Sequence, residues 1–448
     1  MQRPGTAAAL VAGCLVLAGC SRLAPDVRPG AGPSVAAGAP TPAARYAAFA
    51  LDLCDQTESR LSELSQLAET IADRHLAGGR IGVIWEPPCA TGPQGPQYEI
   101  RGRSGGFSAL DIRLEKMLDE ADRSRDTAIT GWQRAPGTND LAILKRYREK
   151  FFVIAFGPRN LPALSDFVPL CDAWVDTGLG TDDRGVVLSN GGRAGQGNAL
   201  ANALNAWAFQ AELVAALTRR GKMPTLMKSH MWADSKDWND RYRGKMLFHD
   251  DLTVPPVAPG VLSRRYLDHI RGLIRIFAQT QGRPVARAAD LIVAELDQGR
   301  RTVVAQEGHT TYEVTGQYED AVWAAPVVLY DTIGRIKQYP ELTPDRALVL
   351  RLGYIGLQDK LAELMRQKRQ RILLITSAHD TRPEFKIPAD VRVVMDTGWE
   401  FGDACVTIEG YPIRVFPPSG VMQLVAYESV NVEVLERLAR RTAKAPGR

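Results

Sequence analysis

Charge of one sign is what this chain most lacks: 55 Lys and Arg face 51 Asp and Glu, a formal net charge of +4 over 448 residues. So small an excess, scattered among carboxylates, gives no ground for nucleic-acid binding. The six cysteines show no C-x-x-C or similar metal spacing, so nothing in the sequence asks for a metal or a cofactor. The run GGRAGQG at 191–197 follows no buried strand, as a nucleotide fingerprint would, and reads as a flexible phosphate or linker loop. At the N-terminus the apolar run 7–18 falls short of the roughly 20 residues a membrane-spanning helix requires.

What is present there is a secretory signal. Arg3 supplies the positive start, the apolar run follows, and small residues precede Cys20. The motif Leu17-Ala18-Gly19-Cys20 resembles the lipobox of bacterial lipoproteins. That resemblance implies cleavage before Cys20, acylation of its thiol by a palmitate-like chain, and a membrane anchor in the cell envelope, outside the cytoplasm. Residues 1–20 are then the signal peptide, and 21–44, dense in Pro, Ala and Gly, a disordered tether. The mature chain keeps Cys54, Cys89, Cys171 and Cys405; export permits disulfides, three pairings exist, and four free thiols fit equally well. About 400 further residues exceed what one core usually holds, which predicts two domains, 45–255 and 260–442.

Those two stretches are one unit written twice. A constant offset of 220 places Arg45-Tyr46 on Arg265-Tyr266, Leu76, Gly79 and Arg80 on Leu296, Gly299 and Arg300, and Asp176-Thr177-Gly178 on Asp396-Thr397-Gly398. Apolar runs fall on apolar runs: IGVIW on TVVA, TAIT on ALVL, FFVIAF on RILLIT, AWVD on VVMD. Such short continuous runs suit strands buried on both faces of a parallel sheet, and helical spacing lies between them. The fold class is therefore α/β, with two tandem three-layer, doubly wound parallel sheets. Each copy closes with a long helix, over 198–219 and 421–440. The segment 228–251, polar and aromatic and holding His230 and His249, is either an arm reaching the other copy or a connector. The paired Asp176 and Asp396 sit in an alternating helix and strand pattern, which excludes an aspartic protease; they read as loop carboxylates that hold backbone amides.

Ligands of open parallel sheets bind where the carboxyl ends of strands run into helix N-termini. There Glu307 and His309 flank Gly308 at the end of a buried run, placed as a general base and acid for proton transfer. The alternative is that His309 caps the next helix and Glu307 pairs with an arginine.

The segments AADLIVAELDQGRRTVVAQEGHT, GYIGLQDKLAELMRQKRQRILLITS and MDTGWEFGDACVTIEGYPIRVFPPSG resemble the opening, middle and closing parts of the SIS, or sugar isomerase, family, to which phosphoheptose isomerase belongs. The first copy is similar but more divergent. The resemblance implies a pseudo-dimer of two SIS-like domains with ligand sites near the joint, and a phosphosugar or amino sugar held by hydroxyls and backbone amides. It assigns ligand contacts to Gly308, Thr310, Thr311, Gly353, Gly356, Ser377 and Ser419, and to Ser104, Gly137 and Thr138 in the first copy. Where the family's second loop has serine before glycine, this chain has Ile355-Gly356 and Ala135-Pro136-Gly137, which removes hydroxyls from that cradle. The functions left open are a sugar-binding protein, active or not as an aldose-ketose isomerase, a non-catalytic envelope sensor, and a protein–protein scaffold. Two chains pairing as a homodimer would bring four copies together.

Overall fold

The computed structural model describes residues 39–84, 96–111, 114–137, 139–242, 248–306, 319–328, 346–353, 366–377 and 391–443. The chain begins with α1 (Pro42–Ser59) and α2 (Leu61–Leu76), then β1 (Ile81–Val83) and the short α3 (Gln97–Ile100). Next come β2 (Thr127–Gly131), α4 (Asp140–Lys150), β3 (Phe152–Gly157) and β4 (Ala173–Asp176). A hairpin of β5 (Arg184–Val187) and β6 (Arg193–Gln196), the long α5 (Asn198–Arg219) and α6 (Ser235–Tyr242) complete the first half. The second half runs α7 (Val261–Thr280), α8 (Gly282–Leu296), β7 (Thr302–Gln306), β8 (Ala324–Val328), β9 (Leu348–Leu352), β10 (Arg371–Thr376), β11 (Val391–Asp396) and α9 (Ser419–Ala443). Adding 220 to the starts of α1, α2, β1, β2, β3, β4 and α5 lands within two residues of the starts of α7, α8, β7, β9, β10, β11 and α9.

Both large sheets are parallel, ordered β1-β2-β3-β4 and β11-β10-β9-β7-β8. The second has a topological switch between β7 and β9, because β8 adds on the far side of β7. The first has no counterpart of β8 among the described residues; a single-turn helix, Ser108–Asp111, lies beside β1 instead.

Continuous apolar runs became strands because both faces are buried. In β3, Val153 and Ala155 pack with Leu144 and Tyr147 of α4, while Ile154 and Phe156 face the opposite cluster. That opposite cluster takes in Val304, Leu350 and Ile375 of the second sheet and the long helices between them, so the two halves share one core. Pro40–Arg448 accordingly forms one compact unit. Among the described residues no helix is long and apolar enough to cross a membrane.

The halves exchange helices reciprocally: α1 packs on α9, and α7 on α5. Each exchange carries a matching cap, in which a carboxylate from the other half's last helix receives the start of the first. Glu433 accepts from Ala43 N at 3.2 Å, and Glu212 accepts from Gly260 N at 2.9 Å and from the Ser263 hydroxyl. The tyrosines matched at offset 220 act alike. Tyr46 donates to the Gln196 carbonyl at 2.8 Å and Tyr266 to the Pro417 carbonyl at 3.2 Å, each fastening a first helix to the segment before a last one.

The structure departs from the sequence reading at several places. The first helix starts at Pro42, inside the stretch read as tether, because Thr41 caps it with its hydroxyl on Ala44 N and proline suits the first turn. Residues 191–198 are not a flexible loop: the Asn190-Gly191 turn folds β6 back on β5, with Leu188 N on Gly192 O at 2.7 Å. Gly195, at φ +79°, lies so close to Tyr46 that a Cβ would come within 2.7 Å of the ring. Cys54, Cys171 and Cys405 are free thiols, and Cys89 lies outside the described residues. Asp176 and Asp396 do hold loop amides, accepting from Gly178 N at 3.1 Å and Gly398 N at 2.9 Å.

Burial pushes the imidazoles of His75, His249 and His269 below their ordinary value, so folding favours the neutral form of each. The unfolded chain takes up protons near pH 6.5 that the folded one refuses, so stability is complete above that pH and is lost as pH falls. Unfolding free energy should be level from pH 8 to 7 and then fall by up to about 1.4 kcal/mol per pH unit for each histidine. Denaturant titrations across this range check it; a level profile down to pH 5 would contradict it.

Candidate functional site at the joint between the halves

Each half presents a carboxylate to the N-terminus of its long helix, α5 or α9, where free amides and the helix dipole favour negative charge. Asp183 accepts from Gly197 N at 3.2 Å and Asn198 N at 2.8 Å. Asp403, 220 residues on, accepts from Ser419 N at 3.1 Å and from its hydroxyl at 2.7 Å. Asp403 adopts φ +47°, a left-handed conformation that costs a non-glycine residue about 1 kcal/mol.

At Asp403 the first half joins in. Arg103 donates to Ser419 Oγ at 2.5 Å and lies 3.5 Å from Asp403 Oδ2; its Nε is 3.8 Å from Glu99, which also accepts from Trp207 Nε1 at 2.9 Å. Glu99, Arg103, Asp403 and Ser419 are each no more than 2% exposed. Charges this deep persist only when paired, and this network of pairs bridges the two halves.

The loop that holds Asp403 also walls a pocket of about 310 Å³. Phe401, Gly402 and Arg414 line it from the second half; Lys228, Ser229 and Trp232 line it from the arm that leaves α5. Trp232 is 46% exposed, with its ring edge-on to Phe401 at 4.7 Å between centroids. Gly402 permits this approach: at φ +94°, a Cβ there would stand 2.7 Å from Trp232 Nε1. Asn239 fixes the arm by bonding Lys228 N and O, both at 2.8 Å, and His249 Nε2 meets the Tyr411 hydroxyl at 3.2 Å. The described parts of that segment, 228–242 and 248–251, thus form an arm packed on the other half. Lys228 pairs with Asp234 at 2.6 Å, and Arg414 pairs with Glu400. An exposed indole beside a hydroxyl and two cations suits a small molecule with an apolar face, hydroxyls and negative charge.

Of the residues assigned from sequence, Ser419 lies in the buried network, its hydroxyl shared between Arg103 and Asp403. Ser104 is half-buried next to Arg103, in a loop where Gly105 O accepts from Phe416 N at 3.1 Å, so the two serines from different halves come to the same joint. Gly353 and Ser377 end the adjacent strands β9 and β10; Gly353 N donates to Ile375 O at 3.2 Å and the Ser377 hydroxyl to Trp399 O. Gly137 sits apart, at the start of α4, where its N donates to Asp140 at 2.9 Å. Glu307, Gly308, His309, Thr310, Thr311, Gly356, Thr138 and Cys20 lie outside the described residues.

Sequence reasoning missed Arg103, Asp403 and Trp232. The Asp183–Asp403 match at offset 220 was a usable signal. It also missed Arg351, 1% exposed near the carboxyl end of β9 and in register with Ala305 of β7.

The fold and joint define a tandem α/β protein with a polar-aromatic pocket between its halves. No family model matches the chain, and no curated protein does. Among solved structures it is similar to a proposed phosphosugar isomerase from Silicibacter pomeroyi DSS-3, at 12% identity over 88% of this chain and 98% of that one, with a TM-score of 0.40. It is similar also to the C-terminal domain of glucosamine-fructose-6-phosphate aminotransferase from Francisella tularensis, at 10% identity over 86% and 95%, with a TM-score of 0.43. A proposed sugar binding protein from Salmonella typhimurium LT2 gives 11% identity over 85% and 99%, with a TM-score of 0.43. Likeness at this level leaves the chemistry to be read from the site.

Proposed function

We propose that this protein binds a carbohydrate derivative, a phosphosugar or an amino sugar, in the pocket between its halves, and is held at a membrane by lipid on Cys20. The observation that carries the binding reading is the exposed Trp232 set against Phe401, with Ser229, Lys228 and Arg414 around them. The indole offers a face to the C–H side of a sugar ring and Ser229 a partner for its hydroxyls, while an anionic substituent would share Lys228 and Arg414 with their present partners Asp234 and Glu400. A volume of about 310 Å³ matches one or two sugar rings. The sequence resemblance to sugar isomerases supports the same ligand class. No carboxylate or imidazole lines this pocket among the described residues, so it is read as a binding site rather than a proton-transfer site.

Isomerase chemistry, if the chain performs it, belongs to Glu307 and His309. A thermal-shift series on Pro40–Arg448 with sugar phosphates and cell-wall amino sugars separates the readings. Stabilisation is expected in the wild type and in Glu307→Gln, and is expected to vanish in Trp232→Ala. No shift with any sugar, or an undiminished shift in Trp232→Ala, contradicts the proposal. The anchor is tested by mass spectrometry of the mature chain: an unmodified Cys20 thiol, or a mature chain that lacks Cys20, would dismiss it.

A further inference from the structure

The amino-terminal end of the second sheet, opposite to the end at which parallel sheets bind ligands, opens into a cavity of about 810 Å³. Arg300, Arg301, Arg346, Arg369, Arg371 and Arg392 line it, and Glu295 is its one described carboxylate. Glu295 is 1% exposed and pairs with Arg300 at 2.9 Å and Arg371 at 2.6 Å. Burial pulls its carboxyl upward, but the hydrogen bonds from the two arginines outweigh that and hold it below the usual carboxylate range. Arg301 reaches the carbonyls of Ala321 and Ala324; Arg346, Arg369 and Arg392 are exposed and make no ion pair among the described residues. Asp345 and Asp390, their neighbours in the chain, lie outside those residues.

The first half shows that this charge is not demanded by the fold. At offset 220 its residues are Asp126 for Arg346, Glu149 for Arg369 and Asp172 for Arg392. There the charges cancel: Asp126 pairs with Arg80 at 2.6 Å, and Asp172 with Arg123 at 2.5 Å. Three reversals of sign at matching positions turn a neutral sheet end into a concentrated positive one. The backbone differs as well. Arg346 and Arg369 stand at φ +61° and +52°, left-handed conformations that Asp126 and Glu149 do not share.

We propose that this arginine-lined cavity binds a phosphate-bearing ligand, with Arg346, Arg369 and Arg392 meeting the phosphate oxygens and Glu295 positioning Arg300 and Arg371. Guanidinium groups match phosphate oxygens in paired geometry, and several around one cavity suit a ligand with more than one anionic oxygen. A lipid headgroup and a free phosphate compound share that chemistry.

Two probes distinguish the sources: co-sedimentation of Pro40–Arg448 with vesicles of phosphatidylcholine with and without phosphatidylglycerol, and calorimetric titration with inorganic pyrophosphate. Restoring the first half's charges in Arg346→Asp/Arg369→Glu/Arg392→Asp should weaken binding about a hundredfold, at roughly fivefold per arginine. The triple lysine variant should bind more tightly than the charge-reversed one but more weakly than wild type, because an ammonium keeps the charge without the guanidinium fork. Response to vesicles alone names a headgroup, and response to pyrophosphate names a soluble ligand. Arg392→Asp alone, on a surface residue, preserves the test if the triple variant does not fold. Binding to neither probe, or equal binding by wild type and charge-reversed variants, overturns the proposal.

Discussion

Arg103→Ala should destabilise Pro40–Arg448 by about 3–5 kcal/mol, the cost of breaking a buried ion pair from one side. Arg103 is 2% exposed and is the cation between Glu99 and Asp403, which are 0% and 1% exposed. Without it two carboxylates remain in the core, and water cannot reach them as it would on a surface. Asp403 keeps its bonds to Ser419, so α9 retains its cap, and Glu99 keeps the bond from Trp207. Urea unfolding measures the change. A loss under about 1 kcal/mol would class the network as ordinary surface pairing, and Arg103→Lys should recover only part, because an ammonium lacks the fork that reaches several partners.

Trp207→Ala is expected to cost about as much, about 3–5 kcal/mol, through the cavity it leaves. Trp207 is fully buried in α5, and its ring lies 6.5 Å from Tyr266 and 6.4 Å from Phe416, both in the other half. It is therefore a direct apolar link between halves as well as the donor to Glu99. Because Arg103 and Trp207 both serve Glu99, the double variant should lose less than the sum of the singles by 0.5 kcal/mol or more, about the least that contacting residues show. Strict additivity would mean that the network is not a unit.

The twofold repeat and the central strands were legible in the sequence because both faces of those strands are buried, which forces continuous apolar runs at a fixed offset. β8 was not, since a proline inside AAPVV argues against a strand unless that strand lies at a sheet edge, as β8 does. The β5–β6 hairpin escaped because RGVV and RAGQ alternate weakly and their register depends on Tyr46 and Val432 packing from elsewhere. Length and the repeat led to two domains packed as a pseudo-dimer; reciprocal exchange of α1 and α7 draws Pro40–Arg448 into one compact unit, and no local pattern encodes an exchange. Ser419 was legible as a helix start, but its partners Arg103 and Asp403 are distant in sequence and meet only at the joint. Trp232 was passed over because its surroundings read as a polar connector, and its value comes from Phe401 opposite.

A crystal structure of Pro40–Arg448 grown with whichever sugar phosphate or amino sugar stabilises it most would locate the ligand outright. Density for a sugar ring on the Trp232 indole, with its anionic group toward Lys228 or Arg414, is the expected result. A sugar bound elsewhere, with the Trp232 pocket filled only by water, would contradict the account.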